Sequence, residues 1–455
     1  MYKILLAASL LLLLGAGTAI AQQVVIHIGQ TFSSEDGNAA YDEDGVRNGT
    51  VIWRGGAVHV VYNYQVYGTT EFPNPVFVIP PSAIVKFAQT FSTNGGITWT
   101  PAFDGRITAQ GFNFPVENVT LRIEGATITD IRDDAEGGDT NGDGNASTPS
   151  LWGQLRFSGS PRDAVRNSTV KYCIAIGHIG SMEFSSNMFT TFGGFVPTSI
   201  TDPIVLNASP RFTGNTFQRS PQAGYYALDL RGMTPIVENN TFRDSIPQYA
   251  IRVGPAREFS DGRTGNTIGP SSGTIVISNN RIETTQGISL SAWGLDQDSL
   301  YSKGATIRAE IRGNGLRALR NNGGRALYLA FAAEAAVSGN DVSNYYQPVA
   351  FFFDPQSAAG NRTQCALRIN NNRFSTEGAN PNFGGVGWFP PPTSPAALNN
   401  VLIDMKNNYW GDPSGPLDTT ASDGRSNPRG RGLSVGTNRI DYVPFVGGAV
   451  PPQRD

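Results

Sequence analysis

The strongest constraint in this chain is a repeat. Segments DPIVLNASPRFTGNTF (202–217), ALDLRGMTPIVENNTF (227–242) and AIRVGPAREF (250–259), the last running on to TIVISNNRI (274–282), follow one pattern. Each has an alternating apolar run, a turn, a short strand-like piece, an Asn step and another short strand-like piece. Leu206, Leu230 and Val253 hold equivalent places, 24 and then 23 residues apart. GISLSAW (287–293), RALYLAF (325–331) and PVAFFFD (348–354) continue the series with inserted loops. A fixed period of this length belongs to a solenoid, in which each unit buries its apolar face only against its neighbours.

The Asn steps recur at Asn215, Asn240, Asn280, Asn314, Asn340, Asn372 and Asn408. Asn tolerates the left-handed backbone of a sharp bend. Stacked at strand spacing, its amides can also hydrogen-bond from coil to coil. Phe217, Phe242, Ile282 and Phe374 follow two places after their Asn and are expected to form an interior column. Strand alternation assigns the faces. Leu228, Leu230, Ile251, Val253, Ile288, Leu290, Leu327 and Leu329 should point inward. Asp229, Arg231, Arg252, Ser289, Tyr328 and Phe351 should point outward.

The 53 Gly and 29 Pro with 16% charged residues fit many short strands and turns. Helical periodicity is scarce, and YLAFAAEAAVSGN (328–340) reads as strand, turn and strand. A two-sheet sandwich is the rival, but sandwiches lack a fixed Asn step. The expected fold is therefore all-β: a right-handed parallel β-helix, a solenoid with three short strands per turn. An N-terminal cap over 22–65 would shield the first rung. The helix would occupy 66–410, and 411–455 would form a C-terminal closing loop.

Residues 1–21 read as a signal peptide: Lys3, an apolar run from Ile4 to Gly15, then Ala19 and Ala21 at cleavage-site spacing. The mature chain carries no transmembrane anchor, which points to a secreted or cell-surface protein. The formal net charge is −3, and it lacks the basic stripe of nucleic-acid binders. Cys173 and Cys365 fall about six coils apart, or nearly 30 Å at strand spacing. A disulfide spans about 7 Å between Cα atoms, so no bridge is expected between them.

NNYWGDPSGP (407–416) followed by RIDYVPF (439–445) resembles the closing motif of secreted bacterial right-handed parallel β-helix repeat proteins of the pectate-lyase-like superfamily. FVIPPSAIVKF (77–87), GRITAQG (105–111) and RDDAEGGDTNGDGNASTPSLWGQLRFSG (132–159) resemble their opening turns. The likeness covers most of 50–447. It specifies architecture better than activity, because the superfamily includes lyases, hydrolases, epimerases, adhesins and proteins without known activity.

One loop carries metal chemistry on its own residues. Asp139, Asn141, Asp143, Gly144 and Asn145 follow the D-x-N-x-D-G-N order, whose alternate oxygens curl round calcium. The twelfth position holds Ser150 instead of Glu. Glu136, Asp133 or Asp134 could complete the shell. Such a Ca²⁺ would be structural, since no reactive group accompanies it.

The resemblance implies that the outward face of the first strand of each turn, with its loops, forms a groove. Asp229 and Arg252 would be neighbours there on adjacent turns, with Arg231 beside them. Tyr226, Tyr249, Trp293 and Tyr328 would offer sugar-stacking rings. Uronate elimination uses an Arg or Lys base in this superfamily, which makes Arg252, Asp229 and Arg231 the catalytic candidates. Hydrolysis would need a carboxylate pair about 5–9.5 Å apart, and Asp202, Asp229 and Asp244 belong to different places in the repeat. His27, His59 and His178 show no metal spacing. The leading expectation is a non-catalytic protein presenting this face to a polysaccharide or cell-surface glycan; the alternative is a polysaccharide lyase. A purely structural envelope role is the third reading.

Overall fold

The computed structural model describes most of residues 120–191, 208–290 and 308–352. It also describes 23–28, 50–61, 76–87, 367–375, 385–388, 403–416, 440–447 and a few short strands between them. Residues 1–22, which hold the expected signal peptide, lie outside the described residues.

The chain coils into a right-handed parallel β-helix. The coils build three parallel sheets, to which successive turns contribute their strands. The first sheet has a four-stranded part, beginning at Tyr64–Val66, and a six-stranded part running from Leu228–Arg231 to Gly387–Trp388. Among the described residues the second has 13 strands, from Thr50–Ile52 to Ile440–Asp441, and the third 12, from Val25–Ile28 to Arg373–Ser375. Most strands are three to five residues long because a bend must follow each one. Among the described residues two antiparallel pairs leave the coil: Phe91–Ser92 with Thr98–Trp99, and Ala256–Glu258 with Asn266–Ile268.

Parallel pairing begins at Val25–Ile28, which pairs with Val58–Val61, so strands of the coil lie within the stretch read as a cap. At the other end Ile440–Asp441 pairs with Ile403–Asp404. Trp410, fully buried, packs its ring 5.4 Å from Phe374 and 6.5 Å from Tyr442. The closing motif thus covers the last coil with aromatic rings.

The vertical files are in register. Leu230 pairs with Val253, Val253 with Leu290, Leu290 with Leu329, and Leu329 with Phe351. Leu206 lies outside the described residues. Phe351 corrects the expected orientation, because its file is the inward one and it is fully buried. Three consecutive Phe residues give alternation no phase, and Ala350 takes the outward place over Tyr328.

The Asn ladder is continuous over eight coils and gains Asn187 at its start. Each side-chain Nδ2 donates to the Oδ1 of the Asn on the next coil at 2.9–3.1 Å, from Asn187 to Asn408. The same Oδ1 accepts the backbone N–H of the Asn below, as when Asn240 N–H donates to Asn280 at 2.9 Å. The left-handed conformation sits one residue earlier than expected. Ser186, Gly214, Asn239, Asn279, Gly313, Gly339, Asn371 and Asn407 all have φ between 54° and 68°. Bend and ladder are therefore two jobs on two adjacent residues.

Inside, Phe189, Phe217 and Phe242 stack with centroids 5.1 and 4.7 Å apart. Phe184 stacks on Phe212 at 4.7 Å. Ile282, Leu316, Val342 and Phe374 continue the Phe217 file. Cys173 is fully buried in this interior, and Cys365 lies outside the described residues. Among the described residues no helix is long and apolar enough to cross a membrane.

Candidate functional site

The first sheet gathers the expected polar and aromatic residues. Its outward file runs Asp229, Arg252, Ser289, Tyr328 and Ala350. The file points outward as expected, but it is covered. Asp229 is 4% exposed, Arg252 8% and Tyr328 4%. Arg231, two residues along the same strand, takes the Asp229 carboxylate in a two-pronged grip. Its Nε and Nη2 donate at 2.9 and 3.1 Å. Arg252 Nη1 lies farther off, 3.8 Å from Asp229 Oδ2.

A half-buried rim stands over this layer. The Arg252 guanidinium packs 4.7 Å from the Tyr226 ring centroid. Tyr249 stacks on Tyr328 at 5.8 Å, and Arg325 sits 5.5 Å from the Tyr328 centroid. Arg325 Nε also donates to Gln347 Oε1 at 3.1 Å. Burial pushes the Arg252 guanidinium down, against the pull of Asp229, and pushes the phenols of Tyr226, Tyr249 and Tyr328 up. These phenols therefore stay neutral and can donate hydrogen bonds. Trp293 lies outside the described residues. Sequence reasoning missed Arg325 and Gln347, which precede the apolar alternation of their strands and so carry no periodic signal.

Asp229 is the one carboxylate on the described strands of this sheet. His178 lies outside the described residues. His59 is buried, stacked on Trp53 at 4.6 Å, with its Nε2 3.0 Å from the Arg54 carbonyl.

The acidic loop folds over the outer face of the third sheet. Asp139 closes the turn: its Oδ1 accepts the Gly142 N–H at 2.7 Å and its Oδ2 the Gly144 N–H at 2.9 Å. Gly144 has φ 82°, as a sharp turn needs. Asn141 Nδ2 donates to Asp143 Oδ2 at 2.7 Å. Oxygens of Asp134, Asp139 and Asp143 lie within 4.8 Å of one another. Both Asp134 oxygens are buried without a hydrogen-bond partner among the described residues. Burial and the Asp143 charge push Asp134 up, while the Gly144 amide leads those that hold Asp139 down. Glu136 is not in this group, because Lys171 Nζ claims its carboxylate at 2.6 Å. Asp133 is likewise engaged, accepting Thr129 Oγ1 at 2.6 Å. Asn145 lies outside the described residues. Lys86, fully buried, pins the loop by donating to the Gly138 carbonyl at 2.6 Å.

No protein-family model matches the chain. No curated protein matches it either. Among solved structures it is similar to a hyperthermoactive exopolygalacturonase from Thermotoga maritima, at 12% identity and a TM-score of 0.34 over 86% of this chain and 93% of that one.

Proposed function

We propose that this is a secreted, non-catalytic β-helix protein that binds an extracellular glycan on the outward face of its first sheet. The observation that carries the reading is the two-tier arrangement on that face. Buried Asp229, Arg252 and Tyr328 hold Arg231, Tyr226, Tyr249 and Arg325 at the surface. Aromatic rings and guanidinium groups fixed in advance lose little entropy on binding, and they offer stacking surfaces and hydrogen-bond donors to a sugar.

The non-catalytic part rests on Asp229. Both its oxygens are engaged by Arg231, and the described strands of this sheet supply no second carboxylate. Hydrolysis needs two such groups. A glycan array should give binding without turnover, and Tyr249→Ala should weaken it at least tenfold. Release of unsaturated uronides from pectin or alginate, lost in Arg252→Ala, would overturn the reading in favour of a lyase.

The acidic loop is read as a structural calcium site made by Asp134, Asp139, Asn141 and Asp143, with Asn145 from the motif. The Asp134 carboxylate supports it: both its oxygens are buried without a hydrogen-bond partner among the described residues, and such oxygens are costly to leave unsatisfied. Calorimetric titration with Ca²⁺ should show one saturable site near neutral pH. Affinity should fall with acidity, because Asp134, whose pKa is raised, protonates early and then stops ligating. Absence of heat at millimolar Ca²⁺, or unchanged affinity in Asp143→Ala, would remove the site.

A further inference from the structure

A separate constellation lies at the corner between the first and second sheets. Turns around residues 160–163, 181–182 and 208–210 stack there on successive coils. With outward residues of the second sheet they line a cleft of about 390 Å³. Arg122, Arg162, Arg166 and Arg211 face it, against Asp163 and Glu183.

The carboxylates do not neutralise this wall evenly. Glu183 is taken by Arg166, whose Nε and Nη2 donate at 3.1 and 2.7 Å, and Arg166 also holds Glu124 at 3.0 Å. Asp163 turns Oδ1 to the Leu121 N–H at 2.7 Å. The carboxylate paired with Arg211 is Glu238, at 4.0 Å, too long for a hydrogen bond. Arg122 and Arg162 make no ion pair with a described residue. Elsewhere on the same sheet, Arg308 has Glu334 at 2.9 Å. Three guanidinium groups thus line the cleft without carboxylates at bonding distance. Ser181 Oγ accepts the Ser209 N–H at 3.0 Å, which leaves its O–H to donate.

Guanidinium groups lining one cleft repel one another unless an anion lies between them, and their planar forks fit oxyanions in two-pronged fashion. We propose that this cleft binds an oxyanion, a sulfate group, free or carried on a saccharide, held by Arg122, Arg162 and Arg211 with Ser181 donating. The site is on another face from the glycan surface proposed above, so either reading can fail alone.

The test is calorimetric titration of the intact protein with sodium sulfate, and separately with a sulfated disaccharide, both at constant ionic strength. One-to-one saturation is expected with at least one probe. Saturation by sulfate assigns a free ion, and saturation by the disaccharide alone assigns a saccharide-borne group. The double variant Arg122→Gln/Arg162→Gln should bind at least tenfold more weakly, while Arg243→Gln, exposed on the third sheet, should match the parent. No saturable heat with either probe, or parent-like affinity in the double variant, overturns the proposal.

Discussion

Asn280→Ala is expected to destabilise the protein by roughly 3–5 kcal/mol, an effect set by how many buried groups the change leaves alone. The Asn280 side chain donates to the Val237 carbonyl and to Asn314 Oδ1, both at 2.9 Å. Its Oδ1 accepts from the Asn240 backbone at 2.9 Å and from Asn240 Nδ2 at 3.0 Å. Each stranded partner is buried, and each costs about 1–3 kcal/mol when water cannot reach it. Asn279, one residue earlier, is the internal control. It provides the left-handed bend at φ 54°. Asn279→Ala should cost about 1–2 kcal/mol, the penalty in that region of a side chain that, unlike Asn, cannot hydrogen-bond locally, and Asn279→Gly much less. Urea denaturation midpoints of the three variants check this. Equal losses for Asn279→Ala and Asn280→Ala would deny the ladder its role.

Phe217→Ala should cost about 3–5 kcal/mol, the usual range for an excised core aromatic. Phe217 is fully buried between Phe189 and Phe242, whose rings lie nearly parallel to it at 6° and 13°. Collapse cannot fill the gap easily, because both neighbours are held in register by their own strands. Stability in a solenoid is local to adjoining coils. Hydrogen exchange should therefore rise most in Met188–Thr190, Thr216–Gln218 and Thr241–Arg243, and little near Ile403. Uniform acceleration along the whole chain would contradict this.

The coil was readable because its signals repeat. Leu230 and Val253, the Asn steps and the Phe217 column each recur at one place per turn, so their stacking followed from period alone. Phase failed where the pattern was uniform, as at Phe351 within three successive Phe residues. The split between bend and ladder was hidden because Asn serves at both places, as Asn279 and Asn280 show side by side. At the face of the first sheet, the pairing of Asp229 with Arg252 was visible from register. Its burial, and the stronger grip of Arg231, were not, because alternation assigns a direction and not what covers it. The arginines of the corner cleft sit in turns and on the second sheet at irregular spacing. Only folding brings Arg122, Arg162 and Arg211 together.

All of this rests on coils that stack residue over residue. Gln218, Arg243 and Glu283 form one outward file on successive coils of the third sheet. Adjacent strands put neighbouring Cα atoms about 4.8 Å apart, and two coils about 9.6 Å. A disulfide tolerates about 4.4–6.8 Å. Under mild oxidation, peptide mapping of Gln218→Cys/Arg243→Cys should find the 218–243 bridge, and Gln218→Cys/Glu283→Cys should stay unbridged. A bridge in the second variant and none in the first would contradict the stacking.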